Sequence, residues 1–326
     1  MKINNFKNTP SFNGIYNNKI VLNSLEKISQ HSGSFVAGAS LLSATLLRPL
    51  AINSVKDVKK ENKEILTAES ISSALTKFLM AEAIALPIES AIKTIDKNPE
   101  KYLNKNALKE LSQKDYKFLT QTIKLGSSFV SAIPKSILGV SLIPVVADFL
   151  FNKKQEPKKL EDKKETLSFK GNLKEKTANS IANIINSQNV QKFAKKYSKN
   201  DKNVAKNMSI LTDILLCATS VIGVRKSQKI EEERKKPLVS NKIISTMVSI
   251  FVGDKIDKII QKSGQKHLDE FIKVNKNNPK LSKYIEGINV LRPTLVFALL
   301  YYGLIPIFTT IMSEKINSTF EGKEAK

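Results

Sequence analysis

The stretch RPTLVFALLYYGLIPIFTTIM, Arg292 to Met312, decides how this chain is read. From Pro293 to Met312 it carries no acidic or basic side chain, and it is bounded by Arg292 on one side and by Glu314 and Lys315 on the other. As a helix rising 1.5 Å per residue, about 20 such residues cover the roughly 30 Å of a bilayer's hydrocarbon core. A water-soluble amphipathic helix needs a polar face recurring every 3.6 residues, and nothing here is more polar than Thr, Tyr and Gly. The stretch is expected to be a membrane-spanning helix.

Working outward, Ile28 to Leu47 is also free of charge and rich in small residues. LGSSFVSAIPKSILGVSLIPVVADFLF, Leu125 to Phe151, is long enough to span but contains Lys135 and Asp148, with Pro134 and Pro144 expected to kink it. MSILTDILLCATSVIGV, Met208 to Val224, is near the minimum length and holds Asp213. Two stretches are mixed: ISSALTKFLMAEAIALPIESAI from Ile71, with Lys77, Glu82 and Glu89, and IISTMVSIFVGDKIDKII from Ile243, with Asp254 and Asp257. These read as amphipathic helices that lie in the interface or pack inside a bundle. The fold class expected is all-α, a helical multi-pass membrane protein.

Lys and Arg outnumber Asp and Glu by 53 to 30, a formal charge of +23. Such an excess suits nucleic acid or anionic headgroups. The positive charge is nearly all Lys, however, with Arg only at positions 48, 225, 234 and 292. No Arg-rich stripe with interleaved aromatics is present, so nucleic acid is disfavoured and the expected partner is the lipid bilayer through its anionic headgroups. The first 19 residues, MKINNFKNTPSFNGIYNNK, lack the apolar core of a cleavable signal peptide.

A hydroxyl-Phe-Xaa-Gly tag recurs three times: SFNG (Phe12, Gly14), SFKG (Phe169, Gly171) and TFEG (Phe320, Gly322). Between the tags, matches follow in the same order. NSLEKI at Asn23 meets NSIANI at Asn179, LLSAT at Leu41 meets LLCAT at Leu215, ISSAL at Ile71 meets IISTM at Ile243, and SLIPVVADFL at Ser141 meets GLIPIFTTIM at Gly303. Their collinearity indicates two homologous halves: 1–151 and 167–318, joined by the polar, Lys-rich linker 152–166 and followed by a polar tail, 319–326. In this reading each tag is a turn, its Gly supplying positive φ, and Leu-Ile-Pro closes the second long apolar segment of each half.

The order of the tag, RPLAI at Arg48, IDKNPEKYL at Ile95, the Leu-Ile-Pro segment end and EEERKKPL at Glu231 resembles an uncharacterised group of bacterial multi-pass membrane proteins. The resemblance covers most of the chain. It implies a helical protein of the bacterial inner membrane and carries no activity, cofactor or residue role with it.

Chemistry-bearing motifs are sparse. His31 and His267 are the only histidines and Cys217 the only cysteine, so no CxxC pair or clustered His and Cys zinc site is present, and His31, in a polar stretch before an apolar helix, and His267, in a Lys-rich loop, are not expected to serve a hydrolase triad. GxGxxG, Walker-type and HExxH motifs are missing from the sequence. No catalytic residue, cofactor site or metal site is expected, and the chain is read as a non-enzyme. Cys217 reads as a small core residue. What remains are ionisable residues within apolar segments, which are costly in hydrocarbon and so face a bundle interior or a pathway. Lys77, Glu82, Lys135, Asp148 and Asp213 form this candidate intramembrane polar site. The expected function is a structural or organising membrane component. The alternatives are a small-molecule or ion transporter built from inverted repeats and a peripheral helical membrane-binding protein.

Overall fold

A computed structural model describes residues 13–151 and 172–324, and within them every regular element is a helix. The linker 152–166 and the tag residues Phe12, Phe169 and Gly171 lie outside the described residues. In chain order the long elements are α1 (Lys19–Gln30), α2 (Ser32–Ser54), α3 (Lys60–Lys97), α4 (Gln113–Val130), α5 (Ala132–Phe151), α6 (Asn172–Asn186), α7 (Gln188–Tyr197), α8 (Asp201–Lys226), α9 (Glu232–Ser263) and α10 (Gln265–Val274). The last, α11, begins as Leu281–Leu299 and continues to Ile305–Glu324.

Three of these helices widen into a single π turn: Ser43–Leu47 in α2, Ala81–Ala85 in α3 and Leu300–Leu304 in α11. Each turn is followed, two residues on, by a proline: Pro49, Pro87 and Pro306. Proline lacks an N–H and its ring collides with the carbonyl four residues back, and one wide turn relieves that collision without ending the helix. Arg48 N–H then bonds to Ser43 O instead of Ala44 O, and Pro49 cannot serve Ala44. The carbonyl this would orphan is taken by the buried Ser70 hydroxyl of α3, which donates to it at 2.6 Å.

The expected turns and stops are corrected here. Gly14 sits in a short helix, Asn13–Tyr16, and Gly322 in α11, and no described glycine has positive φ. Asn13 and Gly14 of the first tag and residues 319–322 of the last are therefore helical. Leu-Ile-Pro does not close either segment, since α5 runs on to Phe151 and α11 to Glu324. The break near Pro134 falls ahead of it, at Ser131 between α4 and α5, and α5 continues through Pro144.

Three apolar clusters organise the packing. The first joins Ile52 of α2, Ile65 and Leu66 of α3, Val140 and Ile143 of α5, Val224 of α8 and Leu238 of α9. The second sets Ile181 and Ile185 of α6 against Ile92 and Ile95 of α3 and Phe118 and Leu119 of α4. The third sets Leu25 of α1 against Phe271 of α10 and Tyr284 of α11. The last two cross along the chain: α1 docks on α10 and α11, late in the sequence, and α6 docks back on α3 and α4. Leu25 and Ile181, which align in NSLEKI and NSIANI, are each 4% exposed.

Five helices are long and apolar enough to cross a membrane: Ser32–Ser54, Lys60–Lys97, Gln113–Phe151 (α4 and α5 end to end), Lys206–Lys226 and Leu281–Thr319. Only 11% to 33% of the most apolar window of each is buried within the fold. The outward side chains include Leu46, Leu79, Ile137, Val145, Phe149, Ile222, Leu299 and Phe308, and Phe149 is 84% exposed. Large contiguous apolar surfaces of this kind are foreign to water-soluble monomers. These helices are apolar on their outer faces and polar at their shared centre.

Candidate functional site

The polar centre is built by helical periodicity. Along α3, Glu69, Ser73, Thr76 and Lys77 recur at spacings of four, three and one, and therefore share one face. Lys242, Ser245, Thr246 and Ser249 do the same on α9, and Asp213, Cys217 and Ser220 on α8. With Lys135, Ser136 and Gly139 of α5, Arg48 of α2 and Tyr301 and Tyr302 of α11, these faces enclose a cavity of about 240 Å³.

The cavity has a closed and an open end. At the closed end Glu69 is 8% exposed and lies above the first apolar cluster. Its carboxylate meets Arg48 Nη2 at 2.8 Å, in contact as an ion pair and not as an aligned hydrogen bond. Lys242 Nζ donates to Glu69 Oε1 at 3.3 Å and Ser73 Oγ donates to the same oxygen at 3.2 Å. Two cations therefore converge on one buried carboxylate. Such a group is stable in low dielectric only when paired in this way. Arg48 is the first residue beyond the π turn of α2, which offsets the residues after it.

About 12 Å along α3 from Glu69, at 1.5 Å per residue, the cavity opens at Lys77 and Asp213, both exposed, with Lys135 half-buried beside them. Lys77 acts electrostatically on Glu69, on Lys135 and on Asp213. Among the described residues, neither the Lys77 nor the Lys135 ammonium has a hydrogen-bond or ion-pair partner. The wall between the ends is hydroxylic: Ser136 and Ser220 hydrogen-bond across α5 and α8 at 3.0 Å, and the Thr76 hydroxyl, on a residue 2% exposed, has no partner. Gly139 faces these hydroxyls, and a Cβ there would stand in ordinary contact, 3.8 Å from Thr76 Oγ1 and 4.0 Å from Ser73 Oγ.

Of the five sequence-predicted residues, Lys77, Lys135 and Asp213 come together in this cavity. Glu82 falls in the π turn of α3 on an exposed face, and Asp148 is exposed near the end of α5. Neither lines the cavity. Arg48, Glu69 and Lys242 were missed because each stands at the charged margin of an apolar segment and reads as a flanking residue. The signal that would have found them is the polar stripe at helical spacing, most visible in Glu69-Ser73-Thr76-Lys77. Cys217 lines the cavity wall half-buried. The histidines lie elsewhere: His31 at the α1–α2 junction and His267 beside Tyr16. No group of three or more His, Cys, Asp or Glu able to hold a metal occurs among the described residues.

No protein-family model matches the chain, and no curated protein or solved structure matches it.

Proposed function

We propose that the chain is a multi-pass membrane protein that carries a small polar or charged solute through the centre of its helix bundle. One observation carries this reading: a 240 Å³ cavity lined by four cations, two carboxylates and a belt of hydroxyls sits inside helices whose outer faces are apolar. A structural component needs no such interior, because unpaired ionisable groups in a bundle are costly unless hydrated or serving a ligand. The volume is below the roughly 300 to 1,000 Å³ of drug-sized pockets, so the cargo is a solute of few heavy atoms. The cavity is asymmetric, with Glu69 buried among lining residues that include Val140, Ile143 and Val224 while Lys77 and Asp213 are exposed, and such one-sided access suits an alternating-access carrier. The reciprocal docking of α1 and α6 supports a duplicated architecture with 1–151 and 167–318 as related halves.

The organising role keeps one observation in its favour, the Lys-rich connections at the ends of the spans, which suit anionic headgroups of a bacterial inner membrane. A peripheral protein is less consistent with five helices that leave most of their apolar windows uncovered. The test is reconstitution of the full chain into liposomes and uptake of a panel of small cations, anions and neutral polar solutes. Saturable uptake of at least one solute, reduced by Lys77→Gln or Lys242→Gln, supports transport. Membrane retention through alkaline carbonate without any uptake leaves the organising role.

A further inference from the structure

Lys77 and Lys135 stand together at the open end of the cavity, and among the described residues no carboxylate forms an ion pair with either. Asp213, which lines the same cavity, attracts Lys77 and Lys242 without a hydrogen bond to either. Glu69 is already engaged by Arg48 and Lys242. The cavity therefore holds four cations against two carboxylates, with the surplus located at Lys77 and Lys135. Directly beside Lys77 the buried Thr76 hydroxyl is unsatisfied, although buried hydroxyls normally find a partner. Two ammonium groups and a hydroxyl without a hydrogen-bond partner face one space, and neither Asp213 nor Glu69 hydrogen-bonds to any of the three.

We propose that this space, bounded by Lys77, Lys135, Thr76 and Ser73, is the binding site for the oxyanion of the cargo, a carboxylate or a phosphate. The assignment rests on the reading of the cavity as a solute path and names its substrate class. Ammonium and hydroxyl donors to a charged oxygen make the stronger kind of hydrogen bond, and a carboxylate or phosphate offers the several acceptor lone pairs needed to meet all of them. Asp213 is the resting counter-charge: it balances Lys77 in the empty cavity and competes with the arriving anion. A second cavity of about 190 Å³, lined mostly by small and apolar residues of α2 and α3, shares Lys77 and Tyr302 with the first. It gives a lipid phosphate as well as a free anion a way to reach the same ammonium.

The full chain is placed in nanodiscs of phosphatidylcholine alone, and binding of inorganic phosphate and of succinate is measured by radioligand retention and by the shift in thermal midpoint. Saturable binding of either anion is expected. Lys77→Gln and Lys135→Gln should each weaken it about tenfold or more, the scale of one charge-assisted contact. Lys77→Arg should retain it, and Asp213→Asn should tighten it severalfold. The unliganded thermal midpoint of every variant shows whether it has folded, and Lys77→Arg with Asp213→Asn keeps the test decisive if a Gln variant does not fold. If only discs containing phosphatidylglycerol show a Lys77- and Lys135-dependent shift, the phosphate belongs to a lipid headgroup. If neither free anion nor phosphatidylglycerol gives such a shift, the anion site is wrong. The transport reading then still stands should the liposomes take up a cation or a neutral solute, and both fall together should nothing be taken up.

Discussion

Arg48 and Glu69 meet at 2.8 Å inside the bundle, one on α2 and the other on α3, with Lys242 of α9 closing on the second carboxylate oxygen at 3.3 Å. Three helices are thereby tied to one carboxylate at the closed end of the cavity. Removing the shared partner leaves two cations uncompensated, whereas removing one cation leaves a pair. Glu69→Gln is expected to destabilise the fold by roughly 3–5 kcal/mol. Arg48→Met should cost less, and the double variant should recover part of the loss. Thermal unfolding in a mild detergent measures all three.

Gly287 of α11 lies directly on the backbone of α1. A Cβ there would overlap the Leu25 carbonyl oxygen and stand 2.8 Å from its carbonyl carbon. Backbone cannot swing aside as a side-chain tip can, so the clash outweighs the gain of about 1 kcal/mol that Ala brings to a helix interior. Gly287→Ala should lower stability by about 1–3 kcal/mol and free α1 for limited proteolysis. Gly126→Ala, where nothing lies within 4 Å, should be neutral or slightly stabilising.

The same α1–α11 junction makes the fold sensitive to acid. Glu26 accepts from Lys280 at 2.8 Å and lies 3.6 Å from Lys283. The Lys280 hydrogen bond, aided by the charges of both lysines, holds the Glu26 carboxyl below its ordinary value, and it raises Lys280 in return. A carboxylate lowered in the folded state contributes stability that is present above its unfolded pKa, about 4.3, and is lost as pH falls through the lower folded value. Glu110 with Lys195 and Glu175 with Lys101 respond in the same direction on the other side of the molecule. Protease release of α1 should rise as pH falls below about 4, and Glu26→Gln should remove that dependence at this junction.

Ile137 of α5 faces outward at 60% exposure. In water a substitution at so exposed a position alters stability by no more than about 0.5 kcal/mol. Facing hydrocarbon at mid-helix, Ile137→Asp should instead oppose insertion by roughly 2.5–3.5 kcal/mol. The fraction of protein recovered in the carbonate-resistant membrane pellet distinguishes these outcomes.

Much of the helical architecture was legible because its evidence is local. The charge-free run after Arg292 and the small-residue run before Arg48 needed only composition and length. The way the helices meet was less accessible. Leu-Ile-Pro reads as a stop, yet a π turn lets α11 run through Pro306 and α5 absorbs Pro144 within an ordinary helix. The tag glycines suggested turns, but Gly14 and Gly322 are helical. The candidate site divided along the same line. Lys77, Lys135 and Asp213 stood out as charges inside apolar runs, whereas Glu69 shows only through its polar stripe with Ser73, Thr76 and Lys77, and its partners Arg48 and Lys242 arrive from other helices. Glu82 and Asp148 carry the same sequence signal as Lys77 but lie on other faces.

A hydrated cavity within a membrane-embedded bundle is the claim on which the rest depends, and native Cys217 on its wall reports it directly. In nanodiscs, Cys217 and, in a Cys217→Ser background, a cysteine introduced by Ile137→Cys are exposed to a small, charged, lipid-insoluble thiol reagent, and the modification rates are compared. The account predicts that Cys217 is modified and that the residue-137 thiol, facing lipid, is protected. Protection of Cys217 together with ready modification at residue 137 would contradict it.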